Sequence, residues 1–382
     1  MPKTFNITHD EIISQENLLL ANKHAEDCKR FRDEILAFNA HRQENIISLH
    51  NDLTYFPEGG EPGGELQSNY KVGKYRMKKI FEPKPRIIMA LPYRDRVVQW
   101  AFYQKLSPLF DKTFIEHSYA NREGKGADRA RITLQKWLRK VNRSGGKWYV
   151  LKLDISKYFY RVDHEVLMNI LSRRIKDKLI LKDLYNLINC EDTAFGLPSG
   201  VQPELCDREE WVFNKGMPIG NLTSQMFANI YLNELDQYCK HVLHVHYLIR
   251  YADDIIILYQ GKRETEGLKD QIEMFLNDNL RLELNKKTTI RPAWLPVEFV
   301  GAVISPLFIK MRKSTQKRMK ARIRFIKKLY EAGLMAWYKV DSTMQSYFGL
   351  IRGFTAGNLL RKILDEFVFV VNNAKRVISS RF

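Results

Sequence analysis

"YLIRYADDIIILY", residues 247–259, sets two adjacent carboxylates, Asp253 and Asp254, between two apolar runs. Ile255, Ile256, Ile257 and Leu258 follow the pair, and Tyr247, Leu248, Ile249 and Tyr251 precede it. Two such runs around a short polar turn predict a β-hairpin. A charged pair in this setting is costly to bury unless something neutralises it. Two answers stand at this point. The carboxylates can face water, since Asp is an ordinary turn residue. Alternatively, the hairpin tip presents them to a divalent metal, and Mg²⁺ takes hard oxygen ligands while keeping waters and substrate phosphates in its shell. A second carboxylate elsewhere, and a basic surface to receive a polyphosphate, would decide for the metal.

The basic surface is present. The chain has 382 residues, a formal net charge of +18 and a sequence pI near 9.6. Such an excess implies a polyanionic partner, nucleic acid or an anionic membrane. The length exceeds what one compact core usually serves, so several subdomains are expected. No stretch approaches a membrane span, and "MPKTFNITHDEIISQ" is too polar for a secretory signal. Cys28, Cys190, Cys206 and Cys239 show no CxxC spacing. A zinc ribbon or disulfide framework is therefore not expected, and a cytoplasmic location is.

Residues 8–53 read as helices, opened by a capping box of Thr8 and Glu11. Ile12, Leu19, Ile35, Leu36, Ile46, Ile47 and Leu53 are their expected core faces. The Gly/Pro-rich "FPEGGEPGGELQSN", 56–69, is the candidate linker. Strand-like pieces follow, broken at Pro83 and Pro85, and then a helix in "RDRVVQWAFYQKLSPLF". "LTSQMFANIYLNELDQYCKHVL" predicts a long helix with a core stripe of Leu222, Met226, Ile230, Leu235, Tyr238 and Val242. From Ser314 onward the pattern is helical. No internal repeat is present.

The second carboxylate lies in "YVLKLDISKYFYRVDHEVL". Asp154 follows the apolar strand Tyr149 to Leu153, near a strand end where a side chain can project over a cleft. It can equally be a helix N-cap. Phe159, five residues on, is core packing or a site residue. His164 beside Asp163 reads as structural, at a helix start. One strand-end Asp with a hairpin-tip pair is the minimal design for two metal ions. Ions about 3.5–4 Å apart can activate a 3′ hydroxyl and stabilise a leaving pyrophosphate oxygen. That chemistry is nucleotidyl transfer, in which catalysis is mostly positioning and charge stabilisation.

These residues resemble the reverse transcriptase family. "YADD" resembles its catalytic hairpin and "LDISKYF" the strand carrying its first catalytic Asp. "RIIMALPYRDRVVQWAF" is similar to a fingers motif of the bacterial and group II intron branch. "FVGAVI", 299–304, is similar to the segment between palm and thumb. The matches keep the family's order across about three quarters of the chain. "SYANREGKGADRA", 118–130, and "MPIGNLTSQMFANIYLNELDQYCKH", 217–241, resemble the diversity-generating retroelement branch. Most related enzymes carry QGxxxSP where this chain has Ile219-Gly220-Asn221-Leu222-Thr223-Ser224-Gln225.

The resemblance implies an α+β fold, a right-hand polymerase with fingers, a palm of antiparallel sheet and helices, and a helical thumb. The implied division is an N-terminal helical extension over 1–70, fingers over 71–148, palm over 149–304 and basic thumb over 305–382. It implies RNA-directed DNA synthesis with two Mg²⁺ ions, or Mn²⁺ in their place. Asp154, Asp253 and Asp254 are the implied catalytic and metal-holding residues. Asp154 and Asp253 are the principal ligands, with Asp254 beside them shaping the field. Lys84 and Arg86 would meet the triphosphate, Arg86 with a guanidinium suited to bidentate phosphate contact. Phe159 falls at the steric-gate position. Ile219, Gln225 and Lys287 complete the implied nucleotide-binding set, and a plain surface role for Lys287 stays open. Implied partners are template RNA, an RNA/cDNA duplex, deoxynucleotides and a small basic helical accessory variability determinant protein. The cell would be bacterial, or the gene phage-encoded.

From Lys310 to Lys328 there are ten Lys or Arg and no acid. Met319, Ile323, Ile326 and Tyr330 give the same helix an apolar stripe. A basic amphipathic helix suits a membrane surface or an acidic partner. Beside a palm it suits the backbone of a template–primer duplex, through Lys317, Arg318, Lys320, Arg322, Arg324 and Lys327. Several features depart from the group II pattern. Tyr160 stands where Asp often follows the Phe of "DISKYF". Nothing within the 382 residues follows the thumb, so a complete intron maturase is not expected. "CEDTAFGLPSGVQPELCDREEW", 190–211, reads as an acidic loop, either solvated or a protein dock. Rival readings are another bacterial reverse transcriptase, of retron or phage-defence type, and an RNA-binding scaffold with an inactive palm.

Overall fold

The computed structural model describes residues 4–58, 64–81, 86–190, 193–198, 201, 207–355, 357, 359, 361 and 363. In chain order the helices are α1 (His9–Ile13), α2 (Gln15–Glu26), α3 (Asp33–Ala40), α4 (Arg42–Leu53), α5 (Tyr93–Asp111), α6 (Ala127–Arg143), α7 (Tyr158–Arg161), α8 (His164–Ser172), α9 (Lys178–Ile188), α10 (Leu222–His241), α11 (Lys262–Leu280), α12 (Lys313–Glu331) and α13 (Trp337–Arg352). The strands are β1 (Phe56–Pro57), β2 (Leu66–Gln67), β3 (Arg76–Ile80), β4 (Arg86–Ala90), β5 (Trp148–Asp154), β6 (Tyr247–Tyr251), β7 (Asp254–Gln260), β8 (Thr289–Pro292), β9 (Val297–Phe299), β10 (Ala302–Ile304) and β11 (Ile309–Met311). The fold is α+β.

The chain forms two compact units, each discontinuous in sequence. The first comprises Met1–Asn121, Leu153–Val245 and Leu268–Thr288. The capping-box threonine holds, since Thr8 accepts a hydrogen bond from the Glu11 N–H. Of the expected faces, Ile12, Ile35, Ile46 and Leu53 are buried, whereas Leu36 and Ile47 are exposed. α5 packs on α2 and on α10. The linker expected over 56–69 is corrected: its ends pair as the antiparallel β1–β2 ladder, and both flanks belong to the first unit. Helix α10 buries far more than one stripe. Thr223, Ser224, Asn229, Asn233 and Asp236 are buried beside Met226, Ile230 and Leu235, as in a helix enclosed on most sides. Val242, expected in the core, is exposed as the residue that closes the helix.

The loop expected over 190–211 is not simply solvated. Cys190, Ala194, Phe195, Leu197 and Trp211 are buried with Met89, against Tyr75, Ile87 and Tyr160. The acids Asp207, Glu209 and Glu210 are exposed at its far end, while Glu204 and Cys206 lie outside the described residues. Cys28, Cys190 and Cys239 are free thiols.

The second unit comprises Arg122–Lys152, His246–Gly267 and Thr289–Phe382. Its four-stranded sheet has the order β6-β7-β5-β8, with β6–β7 and β5–β8 antiparallel. A three-stranded antiparallel sheet, β11-β10-β9, follows in sequence. Helix α12 then turns its stripe inward: Met319, Ile323 and Ile326 are buried with Val340, Met344 and Ile351 of α13. Tyr330 packs half-buried against that cluster. No described helix is long and apolar enough to cross a membrane.

Candidate active site

The predicted hairpin forms. Tyr251 pairs with Asp254, so the turn is the two residues Ala252 and Asp253. Ala252 takes a left-handed φ of 53°. Two-residue hairpin turns require that sign at their first residue, which usually favours glycine, and an alanine there costs about 1 kcal/mol. Tyr247–Arg250 and Ile255–Leu258 are buried on both faces of the sheet. The carboxylate tip therefore rests on a fully packed base.

The positive charge that answers Asp254 comes from β5, the strand beside β7. Lys152 Nζ lies 3.2 Å from Asp254 Oδ1. The Val300 N–H donates to Asp254 Oδ2 at 3.4 Å. Burial pushes the Asp254 carboxyl above its ordinary range, while the Lys152 ammonium, the Val300 amide and the Arg312 charge act to lower it. Sequence reasoning missed Lys152. Its signal was a lysine flanked by Leu151 and Leu153 in an apolar strand, two positions before Asp154 and so on the same strand face.

Asp154 is the last residue of β5, half-buried. Its N–H donates to Thr288 Oγ1 at 3.3 Å, and its carbonyl accepts from the Asn285 N–H at 2.7 Å. An isolated bridge joins Ile155 to Leu284. The backbone thus brings the segment carrying the exposed Lys287 beside Asp154, within the first unit.

The expected nucleotide-binding residues of the first unit are linked through their backbones. Phe159, half-buried in α7, accepts at its carbonyl from the Met217 N–H at 2.7 Å. Ile219, two residues on, accepts from the Met89 N–H of β4 at 2.9 Å. Gly220 has φ 128°, and a Cβ there would lie 2.8 Å from the Met89 carbonyl oxygen, so this close approach admits only glycine. Asn221 then donates to the Tyr75 hydroxyl at 2.7 Å. Gln225 is exposed in the first turn of α10. Arg86 is exposed at the start of β4, opposite Ile80. Lys84 lies outside the described residues. His164 is structural as expected: it is buried, its Nε2 pairs with the Gly216 carbonyl at 2.7 Å, and burial holds its pKa below the ordinary value.

On α12, Lys317, Arg318, Arg322 and Arg324 are exposed, and Lys320 and Lys327 are half-buried. Arg322 also lies over the Phe325 ring, 5.4 Å from its centroid.

Among the described residues no three His, Cys, Asp or Glu side chains gather closely enough to form a protein-only metal cluster. The donor chemistry nevertheless fits a hard divalent cation. Asp253 offers a half-buried carboxylate in the hairpin turn, and the neighbouring Asp254 carboxylate, with Lys152 3.2 Å from its Oδ1, adds negative charge beside it. Ions of this kind are held by one or two carboxylates, with substrate phosphates and water completing the shell.

Residues 76–304 match the family described as reverse transcriptase (RNA-dependent DNA polymerase). The chain belongs to that family. The matched stretch runs from the start of β3 to the end of β10 and contains Asp154, Asp253 and Asp254. As a reverse transcriptase family member it has the right-hand polymerase fold. It is similar to protein YkfC of Escherichia coli, 27% identical over 257 residues, 56% of this chain and 62% of that one. It is similar also to the group II intron-encoded protein LtrA of Lactococcus lactis subsp. cremoris, 23% identical over 349 residues, 74% of this chain and 53% of the relative. The chain thus spans less than two thirds of the length of either. Among solved structures, the telomerase of Candida albicans in complex with a fragment of telomeric RNA aligns with a TM-score of 0.48 and 15% identity, over 80% of this chain and 55% of that one.

Proposed function

We propose that the chain is an RNA-directed DNA polymerase, and that its biological setting is a diversity-generating retroelement. The observation that carries the polymerase reading is the carboxylate hairpin. It is packed at its base and carries Asp253 in its turn, in a chain of the reverse transcriptase family that also ends a neighbouring strand of the same sheet in Asp154. Bound Mg²⁺ ions would supply activation of the primer's 3′ hydroxyl and stabilisation of the leaving pyrophosphate. Asp154 and Asp253 would be their principal ligands, with Asp254 beside them. Arg86, with Lys84, would grip the triphosphate, and Lys287 would give the leaving group a proton. Phe159 would crowd a ribose 2′ hydroxyl, so that deoxynucleotides are preferred. The exposed cations of α12 would follow the phosphates of the RNA/cDNA duplex. Fingers, palm and thumb would follow the boundaries expected from the sequence.

The finer reading rests on the segment Ile219–Gln225, where an aliphatic residue and a terminal Ser-Gln replace the more common pattern. It implies cDNA with errors at template adenines and a basic accessory protein. Asp207, Glu209 and Glu210 offer such a protein an exposed acidic face. The similarity to a group II intron-encoded protein supports an enzyme of the same branch.

Primer extension on an RNA template with Mg²⁺ tests the first reading. Extension is expected, and RNA binding without extension would overturn it in favour of a scaffold. The second reading is tested by the DNA flanking the gene, where two near-identical repeats differing at template adenines are expected. Flanking DNA without them would assign the enzyme to another class of bacterial retroelement.

A further inference from the structure

The pair Asp253–Asp254 is chemically symmetrical in sequence and asymmetrical in structure. Asp254 begins a strand, accepts from the Val300 N–H at Oδ2 and has the Lys152 ammonium 3.2 Å from Oδ1; Asp253 occupies the turn. We propose that Lys152 is a positioning residue, whose charge pairs with Oδ1 of Asp254, keeps that carboxylate out of the metal's ligand set and locks the catalytic hairpin to the β9–β10 turn. The proposal rests on the metal-dependent polymerase reading and adds a division of labour between the two aspartates.

Lys152 does two things at once. Its ammonium lies 3.2 Å from Asp254 Oδ1 and donates to the Glu298 carbonyl of β9 at 2.7 Å. The same turn reaches Asp254 a second time through the Val300 N–H. Val300 and Gly301 both take left-handed φ values, 44° and 73°. That conformation is rare for a β-branched residue and persists only where the surroundings enforce it. It is the conformation in which the Val300 amide meets the carboxylate. The chain of contacts continues outward, because Arg312 pairs with the Glu298 carboxylate at 3.2 Å and is the N-cap residue of α12. Asp254, Lys152, Glu298 and Arg312 thus join the carboxylate hairpin to the root of the basic helix, all within the second unit.

A carboxylate so occupied carries little uncancelled charge for an ion. Removing the lysine's charge frees it. The local field then becomes more negative, and a divalent cation binds more tightly but in the wrong geometry.

The experiment measures Mn²⁺ binding to the full chain by electron paramagnetic resonance, with melting curves and primer-extension kinetics beside it. Lys152→Met should bind Mn²⁺ about tenfold more tightly than the wild type. Its kcat should fall at least about tenfold while the nucleotide KM stays within about twofold. Lys152→Arg should recover most of the turnover. Adding Asp254→Asn to Lys152→Met should return the ion affinity to near the wild-type value. A folded Lys152→Met with unchanged or weakened Mn²⁺ binding would overturn the proposal. If that variant does not fold, the charge-neutral double variant Lys152→Met with Asp254→Asn decides. Ion affinity within about twofold of the wild type supports a carboxylate that is not a ligand, and a loss of tenfold or more overturns it. No Mn²⁺ binding by the wild-type chain with template–primer present would overturn both this proposal and the polymerase reading. Normal ion binding without any extension would remove the polymerase reading alone.

Discussion

Two antiparallel hairpins of five residue pairs, β3–β4 and β6–β7, differ in almost everything but geometry. In β6–β7 nearly every residue below the turn is buried, and the charge sits at the tip. In β3–β4 most side chains are exposed, and the hairpin carries Arg76, Lys78, Lys79 and Arg86. One hairpin holds anions on a packed base; the other spreads cations over solvent. The difference suits the two tasks proposed for them. Metal ligation needs fixed oxygens, since misplacement by about an ångström disables a site. Gripping a diffusing triphosphate needs reachable, well-hydrated cations. The same secondary structure would serve both, because burial, more than hydrogen-bond ladder, decides how firmly a side chain is placed.

The most severe way to break this comparison is at the packed tip. Asp253→Asn should lower primer extension by on the order of 10³, about 4 kcal/mol of transition-state stabilisation. Affinity for template RNA should stay within about twofold, because the basic surface binds independently of the tip. Comparable extension by the mutant at ordinary Mg²⁺ would show that the packed hairpin does not serve a metal.

Helix α12 combines both strategies in one element, with a buried stripe on one side and exposed cations on the other. Neutralising Lys320, Arg322 and Arg324 together should leave the melting temperature nearly unchanged. It should flatten the slope of log affinity for template–primer against log salt by up to about three units. An unchanged slope would place the duplex elsewhere. A large loss of melting temperature would mean that these side chains belong to the packed side.

The exposed hairpin should respond more mildly. Arg86→Ala would remove the proposed charge-assisted phosphate contact, worth about 1.5–3 kcal/mol. The nucleotide KM should rise by about tenfold or more, with kcat, duplex affinity and melting temperature much less affected. A stability loss in place of a KM effect would erase the contrast between the two hairpins.

The sequence revealed what is local. Two apolar runs around Ala252-Asp253 specify a hairpin within 13 residues, and the spacing of Met319, Ile323 and Ile326 specifies which side of α12 is buried. Contacts across the chain were not visible. Nothing near Asp254 announces that its partner is Lys152, because neighbouring strands meet by topology and their register is not written in either one. The loop over 190–211 misled for a different reason. Its acids dominate the composition, and Cys190, Phe195, Leu197 and Trp211 recur with no period, so no regular face betrays their burial. Helix α10 misled in the opposite sense, since its buried Ser, Thr and Asn residues do not look like core until the helices around it are known.

The smallest and most specific expectation concerns Ile219, which lies where β4 of the exposed hairpin meets the segment leading into α10. Its carbonyl is fixed by the Met89 N–H, and the next residue, Gly220, comes so close to the Met89 carbonyl that no side chain fits. The backbone at this point is therefore clamped, yet the side chain it offers is purely aliphatic. Gln, which the family resemblance implies at this place in most relatives, supplies both a donor and an acceptor; Ile supplies only shape. If the incoming nucleotide lies against this residue, it loses a polar contact worth about 1 kcal/mol, and discrimination between correct and incorrect pairs weakens roughly fivefold. Because the backbone is clamped, Ile219→Gln should change the side chain's chemistry without moving its anchor. The mutant should then misincorporate less opposite template adenine, by a few-fold, and change less opposite the other bases. Sequencing cDNA made by both enzymes on one RNA template measures this directly. Equal error rates opposite adenine would leave Ile219 as packing at the mouth of α10 and remove it from the proposed mechanism of diversification.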